Sequence, residues 1–129
     1  MKKTQINLLF IATIFAFFAV AFGAFGAHAL KDILSKVGLH QYELGVRYAF
    51  IHALAIFAAG LAMPLASKPK YVNLAAWFFI AGIVLFSGSL ILLALSQKMA
   101  FAMITPLGGL AFLLGWFFFA YGLRGGKQA

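Results

Sequence analysis

The sequence contains no cysteine and only two acidic residues, Asp32 and Glu43, and these shortages exclude several kinds of protein. Without cysteine there are no disulfides and no thiolate metal sites. Two acids leave little for catalysis by paired carboxylates. Charged residues make up 9% of the chain, against about 25% in soluble domains, whereas 65% of the residues are hydrophobic. A soluble domain of 129 residues cannot hide so much apolar surface, so we expect lipid to be the solvent.

Common reaction signatures are also missing from the sequence. It has no HExxH zinc motif, no phosphate-binding loop and no GxSxG nucleophile elbow. The three histidines, His28, His40 and His52, lack the close spacing typical of metal ligands. We therefore expect no catalytic residue, no metal and no cofactor.

Four stretches without charge run over 4–30, 48–67, 71–97 and 99–123. A helix needs about 20 apolar residues to cross the hydrocarbon core of a bilayer, and each stretch is long enough. The stretches are continuously apolar rather than alternating, which favours helices over a β-barrel. We predict an all-α protein with one membrane domain over 1–129, an up-and-down bundle of four transmembrane helices. The predicted helices lie near 6–30, 48–66, 72–95 and 102–123.

The first connection, which precedes Arg47, is the only long one. Apolar residues recur there at helical spacing before Gly38: Leu30, Ile33, Leu34 and Val37. We predict a short amphipathic helix that lies on the membrane surface and ends at Gly38. The first span has a second interpretation as a signal peptide, because Ala27-His28-Ala29 fits a cleavage site. Its apolar run exceeds the roughly 7–15 residues of such segments, so we expect a retained helix.

The net charge of +8 does not indicate a nucleic-acid partner, because Lys and Arg flank the apolar stretches instead of forming a stripe. In a four-span protein the two termini and the second connection share one side of the membrane. That side carries six of the ten cationic residues: Lys2, Lys3, Lys68, Lys70, Arg124 and Lys127. The positive-inside rule therefore predicts a bacterial inner-membrane protein with both termini in the cytoplasm.

Small residues recur every three or four positions along the first helix, a pattern that lets helix backbones approach closely in lipid. A glycine pair near the start of the fourth helix has the same effect. We predict that the following positions pack against other helices: Ala12, Ala16, Ala19, Gly23, Gly26, Gly108 and Gly109. Glu43 and Arg47 are four residues apart and predict an interfacial ion pair.

Polar residues gather toward the side of the membrane that carries the first and third connections. The candidate polar cluster consists of His28, Tyr48, His52, Ser87, Ser89 and Thr105. His28 ends the first predicted helix and His52 begins the second, so we predict that the two imidazoles lie close together. Structural explanations exist as well. The serines can bond their own helix, Thr105 before Pro106 is typical of a helix start, and the histidines can link two helices.

Four segments occur in chain order and span most of the sequence. They are 23–28 (GAFGAH), 45–48 (GVRY) followed by 52–54 (HAL), 86–90 (FSGSL), and 105–109 (TPLGG) with Gly115-Trp116 beyond. This pattern resembles the signatures of a family of small bacterial membrane proteins catalogued as domain of unknown function 423, which has relatives in eukaryotes. The resemblance implies a four-helix membrane fold and no established activity. Ile91 stands where the family usually has tyrosine, so a role for that hydroxyl does not carry over.

Three functions remain open from the sequence. The first is a structural or accessory membrane protein whose partners are the bilayer and either copies of itself or a larger membrane assembly. The second is a carrier or channel for a small solute or proton that uses the polar cluster. The third is a membrane enzyme acting on lipid or quinone, with His28 or His52 as general base. The shortage of catalytic groups and the small-residue pattern favour the first.

Overall fold

The computed structural model describes residues 2–126, and every regular element among them is helical. The helices are α1 (Lys2–Phe25), α2 (Lys36–Ala62), α3 (Pro69–Gly82), α4 (Gly88–Ser96) and α5 (Thr105–Leu123). Tighter or wider turns extend them, with π geometry at Gly26–Leu30 and Ile83–Ser87 and 3₁₀ geometry at Met63–Leu65 and Met99–Met103. They make four spans that are long and apolar enough to cross a membrane: Lys2–Leu30, Lys36–Leu65, Pro69–Ser96 and Met99–Leu123. The predicted four-helix membrane fold is confirmed; Lys127, counted in the charge balance, lies outside the described residues.

The first connection is shorter than predicted, and the amphipathic surface helix expected there is wrong. Residues 31–35 form a turn, and α2 begins at Lys36 rather than near Tyr48. The Ser35 hydroxyl caps this helix by accepting a hydrogen bond from the Gly38 amide at 3.1 Å. Gly38 therefore lies in the first turn of α2 instead of ending a helix.

The spans stand beside one another in chain order. Helix α1 packs along α2, the third span packs against α2, and α5 packs along α3. The second and third spans therefore supply most of the buried core, which includes Ile56, Ala59, Val72, Ala75 and Phe79. The first span turns many large apolar side chains outward, among them Phe10 and Phe17.

A repeated glycine brings α5 close to the third span. Every seventh residue along one face of α5 is glycine, and its neighbours on the third span have the same spacing: Gly108 against Phe86, Gly115 against Phe79, and Gly122 against Val72. A Cβ atom at any of these glycines would overlap the facing atoms. A seven-residue repeat is typical of antiparallel helices in left-handed packing. This close packing fixes the register of the two spans.

The second connection is tied to the end of the fourth span. The Ser67 hydroxyl lies 3.1 Å from the carbonyl oxygen of Gly122 and 2.7 Å from that of Arg124. The Lys68 amide donates to the Gly122 carbonyl at 3.0 Å. These bonds satisfy carbonyls that the end of α5 leaves free. They hold the second connection and the end of α5 at the same level of the bundle.

Candidate functional site

His52 is the one histidine among the described residues that is buried in the bundle, with 3% of its surface exposed. Because α2 begins at Lys36, His52 lies about 24 Å along the helix at 1.5 Å per residue. It therefore sits near the middle of the second span. Its ring stacks on Phe112, with centroids 3.6 Å apart and ring planes 11° apart.

Both ring nitrogens of His52 are hydrogen-bonded. Nδ1 lies 2.8 Å from the carbonyl oxygen of Tyr48, and Nε2 lies 3.1 Å from the indole Nε1 of Trp116. An indole nitrogen only donates, so Nε2 must accept. The proton of the neutral imidazole is then on Nδ1, which donates to the Tyr48 carbonyl. Neither nitrogen is left for a metal or for a substrate proton.

A cavity of about 430 Å³, here the His52 cavity, lies between the second, third and fourth spans. Aromatic side chains form much of its wall, including Tyr48, Phe86, Phe112 and Trp116. Trp116 is 45% exposed, so the cavity is bounded on one side by a side chain at the lipid-facing surface. The cavity suits an apolar molecule, because both nitrogens of the imidazole already have hydrogen-bond partners.

The prediction that His28 and His52 meet is wrong. Across the antiparallel α1–α2 pair, a Cβ atom at Gly26 would meet the Tyr42 ring. His28 therefore lies level with the region around His40, about 18 Å along α2 from His52. Its side chain is exposed. The error follows from the misplaced start of α2, which had put His52 near a helix end.

Besides the bond between His52 and Trp116, a polar contact joins the third span to the start of the fourth. The hydroxyls of Ser89 and Thr105 are 2.5 Å apart. Ser89 also lies 3.0 Å from the Phe86 carbonyl oxygen, and Thr105 lies 3.3 Å from that of Phe101. Thr105 therefore does not cap α5; its side chain bonds backward to the preceding turn. The contact links helices and contains no charged or metal-binding group.

Ser87 differs from Ser89, although both are buried. It is 2% exposed, and its hydroxyl oxygen has no hydrogen-bond partner among residues 2–126. It ends the π-helical turn Ile83–Ser87 and lines an apolar cavity of about 230 Å³ between the first three spans. Phe15, Phe18 and Phe22 of α1 line the same cavity. Ser87 thus lies apart from the contacts of His52 and of Ser89, so the predicted cluster is divided among separate places.

Glu43 and Arg47 line one pocket between α1 and α2 but do not pair. Within residues 2–126, the structure records no carboxylate oxygen within 4.0 Å of a Lys, Arg or His nitrogen. The predicted ion pair is therefore not formed. Both side chains are exposed, and Gly23, Gly26 and Tyr42 line the pocket with them.

The small residues of the first span differ in how closely they are packed. Ala12, Ala19 and Gly26 are buried, whereas Ala16 and Gly23 are half-buried. A Cβ atom at Gly23 would lie 3.4 Å from Val46, an ordinary contact, whereas one at Gly26 would overlap the Tyr42 ring. In α5, Gly108 meets the Phe86 backbone, and Gly109 lies opposite the Phe86 ring at 3.8 Å.

The partners of His52 and the anchoring of Tyr42 do not follow from the sequence patterns. Trp116 belongs to the Gly115-Trp116 motif, which does not identify its partner, and Phe112 lies in no motif. Tyr42 is 1% exposed, and its hydroxyl donates to the Phe22 carbonyl at 2.6 Å. Hydropathy gave no signal for these residues, because each aromatic ring also suits a lipid-facing position. Among the described residues, no group of three or more His, Cys, Asp or Glu is placed to hold a metal ion.

The sequence of this chain is similar to those of known membrane proteins. A family described as "Protein of unknown function (DUF423)" matches residues 22–109. The UPF0382 membrane protein of Haemophilus influenzae is 39% identical over 122 residues, covering 95% of this chain and 94% of that protein. The UPF0382 membrane protein YwdK of Bacillus subtilis is 41% identical over 108 residues, with coverage of 84% and 88%. The UPF0382 inner membrane protein YgdD of Escherichia coli K12 is 41% identical over 115 residues, with coverage of 84% and 82%. No solved structure matches the chain.

Proposed function

This chain belongs to the DUF423 family of membrane proteins, and we propose that it is a non-catalytic accessory protein of the bacterial inner membrane. The proposal rests on one observation: both ring nitrogens of His52 already have hydrogen-bond partners. A carrier or an enzyme needs an intramembrane group that is free to bind or to exchange a proton. Both nitrogens of the buried imidazole are instead occupied: Nε2 accepts from Trp116 and links α2 to α5, and Nδ1 bonds the Tyr48 carbonyl of α2 itself.

The packing of the third and fourth spans supports the same proposal. The glycines of α5 bring the two backbones together along the whole interface, from Gly108 to Gly122. Such packing closes the contact between these two backbones within one copy, and the His52 cavity beside it is walled largely by aromatic side chains. The protein would therefore act through contacts made on its outer surface, with lipid, with further copies or with a larger membrane assembly.

Photo-crosslinking in living cells tests the proposal. A photoreactive residue replaces Phe17 of α1 or Leu113 of α5, both of which are more than half exposed. The control position is Phe79, which is buried in the core. We expect protein adducts from an exposed position and none from Phe79. Only uncrosslinked monomer from both exposed positions would count against an accessory role.

A flux measurement tests the competing carrier function. The purified chain is placed in liposomes, and uptake of protons and small solutes is compared with that of His52→Ala. We expect no flux above that of empty liposomes for either protein. Flux that the His52→Ala change abolishes would instead show that the imidazole leaves Trp116 and works in transport.

We also propose that both termini lie in the cytoplasm. The support is the distribution of Lys and Arg, with six of ten on the side of the termini and second connection. The described structure keeps Lys68 and Lys70 at the second connection and Lys98 at the third, whereas Arg47 lies within α2, eleven residues from its start.

A further inference from the structure

Glu43 and Arg47 line the same pocket, which therefore carries one negative and one positive side chain. It lies between α1 and α2, has a volume of about 250 Å³, and is lined by Gly23, Gly26, Tyr42, Glu43, Val46 and Arg47. We refer to it as the Glu43–Arg47 pocket. It shares no lining residue with the His52 cavity and only Val46 with the cavity beside Ser87.

The wall of this pocket is rigid on one side. Gly23 and Gly26 have no side chains, which leaves space beside α1. Tyr42 fills the contact with Gly26, is 1% exposed, and is held by its hydrogen bond to the Phe22 carbonyl. The pocket is therefore a built feature of the α1–α2 contact.

Two opposite charges stand at this wall on successive turns of α2. Glu43 and Arg47 are both exposed and do not form a salt bridge with each other. The chain has only one other acid, Asp32, which lies in the first connection. The pocket thus presents one carboxylate and one guanidinium, each available to a separate group of a ligand.

The depth of the pocket identifies the kind of ligand. Gly26, at the shallow end of the pocket, lies five residues or about 8 Å below Lys31, whereas Arg47, at the deep end, lies eleven residues or about 16 Å along α2 from Lys36. A span of 29 residues is about 44 Å long, and a hydrocarbon core of about 30 Å leaves about 7 Å at each end. The pocket therefore extends from the level of the lipid head groups at Gly26 to about 9 Å inside the hydrocarbon at Arg47, and an arginine side chain is long enough to reach the head groups from there. An exposed charge at that depth needs a partner.

We propose that the Glu43–Arg47 pocket binds the head group of a zwitterionic aminophospholipid. The Arg47 guanidinium binds the phosphate, for which its planar donors are suited. The Glu43 carboxylate accepts hydrogen bonds from the primary ammonium. A choline head group has no N–H to donate, and a glycerol head group has no positive charge. The order of charges therefore selects phosphatidylethanolamine over phosphatidylcholine and phosphatidylglycerol.

Native mass spectrometry of the full chain in mild detergent tests the selection. The probes are phosphatidylethanolamine, phosphatidylcholine and phosphatidylglycerol with identical acyl chains. For the unchanged protein we expect one tightly bound phosphatidylethanolamine per chain, with about tenfold preference over the other two, as a charge-assisted hydrogen bond gives. Arg47→Gln should weaken binding of all three lipids. Glu43→Gln, which keeps the side-chain shape, should remove the preference for phosphatidylethanolamine over phosphatidylglycerol.

Lys36→Gln is the matched control, because it removes an exposed cation of α2 that does not line the pocket. It should leave the lipid preference unchanged. If Arg47→Gln does not fold, Arg47→Lys, which keeps the charge and loses the planar donor pair, should weaken binding in the same order. Equal binding of the three lipids by the unchanged protein would overturn the proposal. So would a preference that survives Glu43→Gln, or one that Lys36→Gln abolishes.

Discussion

Trp116 of α5 donates its indole hydrogen to Nε2 of His52 on α2, over 3.1 Å and between residues 64 positions apart in the chain. The bond lies near the middle of the second span, where lipid offers no alternative partner for either group. It also fixes the imidazole as the tautomer with its hydrogen on Nδ1, because the indole cannot accept. Two aromatic side chains of the fourth span, Trp116 and Phe112, thus hold the one buried histidine in place.

Replacing Trp116 with phenylalanine should destabilise the bundle by about 1 kcal/mol. The change leaves Nε2 of His52 without a donor while keeping an aromatic ring at the surface. Reversible unfolding in mixed micelles measures the difference. Trp77→Phe is the control, because Trp77 is 51% exposed and its indole donates no hydrogen bond to the described residues. Equal stability losses in the two variants would mean that the bond to His52 contributes nothing.

The two buried serines of the third span should respond oppositely to alanine. Ser89→Ala removes the bond to Thr105 and should cost about 1 kcal/mol. Ser87→Ala removes a hydroxyl that has no partner, so stability should stay the same or rise by a few tenths of a kcal/mol. The same unfolding measurement compares them. A loss on Ser87→Ala as large as that on Ser89→Ala would show that the Ser87 hydroxyl has a partner in the membrane.

Adjacent glycines of α5 should differ sharply in their tolerance of a methyl group. Gly108→Ala should destabilise the protein by about 1–3 kcal/mol, because the new Cβ overlaps the backbone of Phe86, which cannot move aside. Gly109→Ala should be tolerated, since its Cβ would lie 3.8 Å from the Phe86 ring. Thermal unfolding in detergent compares the two variants. Similar losses would contradict the close contact at Gly108.

The spans were predictable because charges at their ends contrast with long apolar runs, as at Lys68 and Lys98. The start of α2 was not predictable in the same way, because Arg47, the charge before the apolar run, lies on a helix that already began at Lys36. Ser35, three residues before Gly38, carried the correct signal as an N-cap. The hydrogen bond from the Gly38 amide to Ser35 marks the start of α2, whereas hydropathy alone places that start too late in the chain.

The candidate site was harder to predict than the spans, because it depends on helix rotation. The sequence placed His52 in a span and required a partner for it, and the structure supplies one. It did not identify Trp116, since hydropathy cannot tell which face of α5 meets α2. Gly115 and Gly122 show the same limit, because their spacing of seven from Gly108 is present in the sequence but the helix that they face is not.

The α1–α2 contact provides a second matched pair of glycines. Gly26→Ala should destabilise the protein by about 1–3 kcal/mol, because the Tyr42 ring that it meets is buried and held by its hydroxyl. Gly23→Ala should change stability by less than about 0.5 kcal/mol, because the new Cβ lies 3.4 Å from Val46. Adding Tyr42→Leu to Gly26→Ala should recover part of the loss. No recovery would show that another neighbour opposes the methyl group.

The orientation of the bundle can be tested with single cysteines, because the chain has none of its own. Leu65 and Met99 are 68% and 71% exposed and lie at opposite ends of the bundle, and their replacement leaves the charge balance unchanged. With both termini in the cytoplasm, an impermeant maleimide labels Met99→Cys on intact cells and labels Leu65→Cys only after permeabilisation. The reverse pattern would place the termini outside. If the Lys and Arg distribution sets this orientation, adding Lys68→Gln and Lys70→Gln removes the excess of two cations. Both cysteines should then be labelled in part on intact cells, and unchanged labelling would show that another feature sets the orientation.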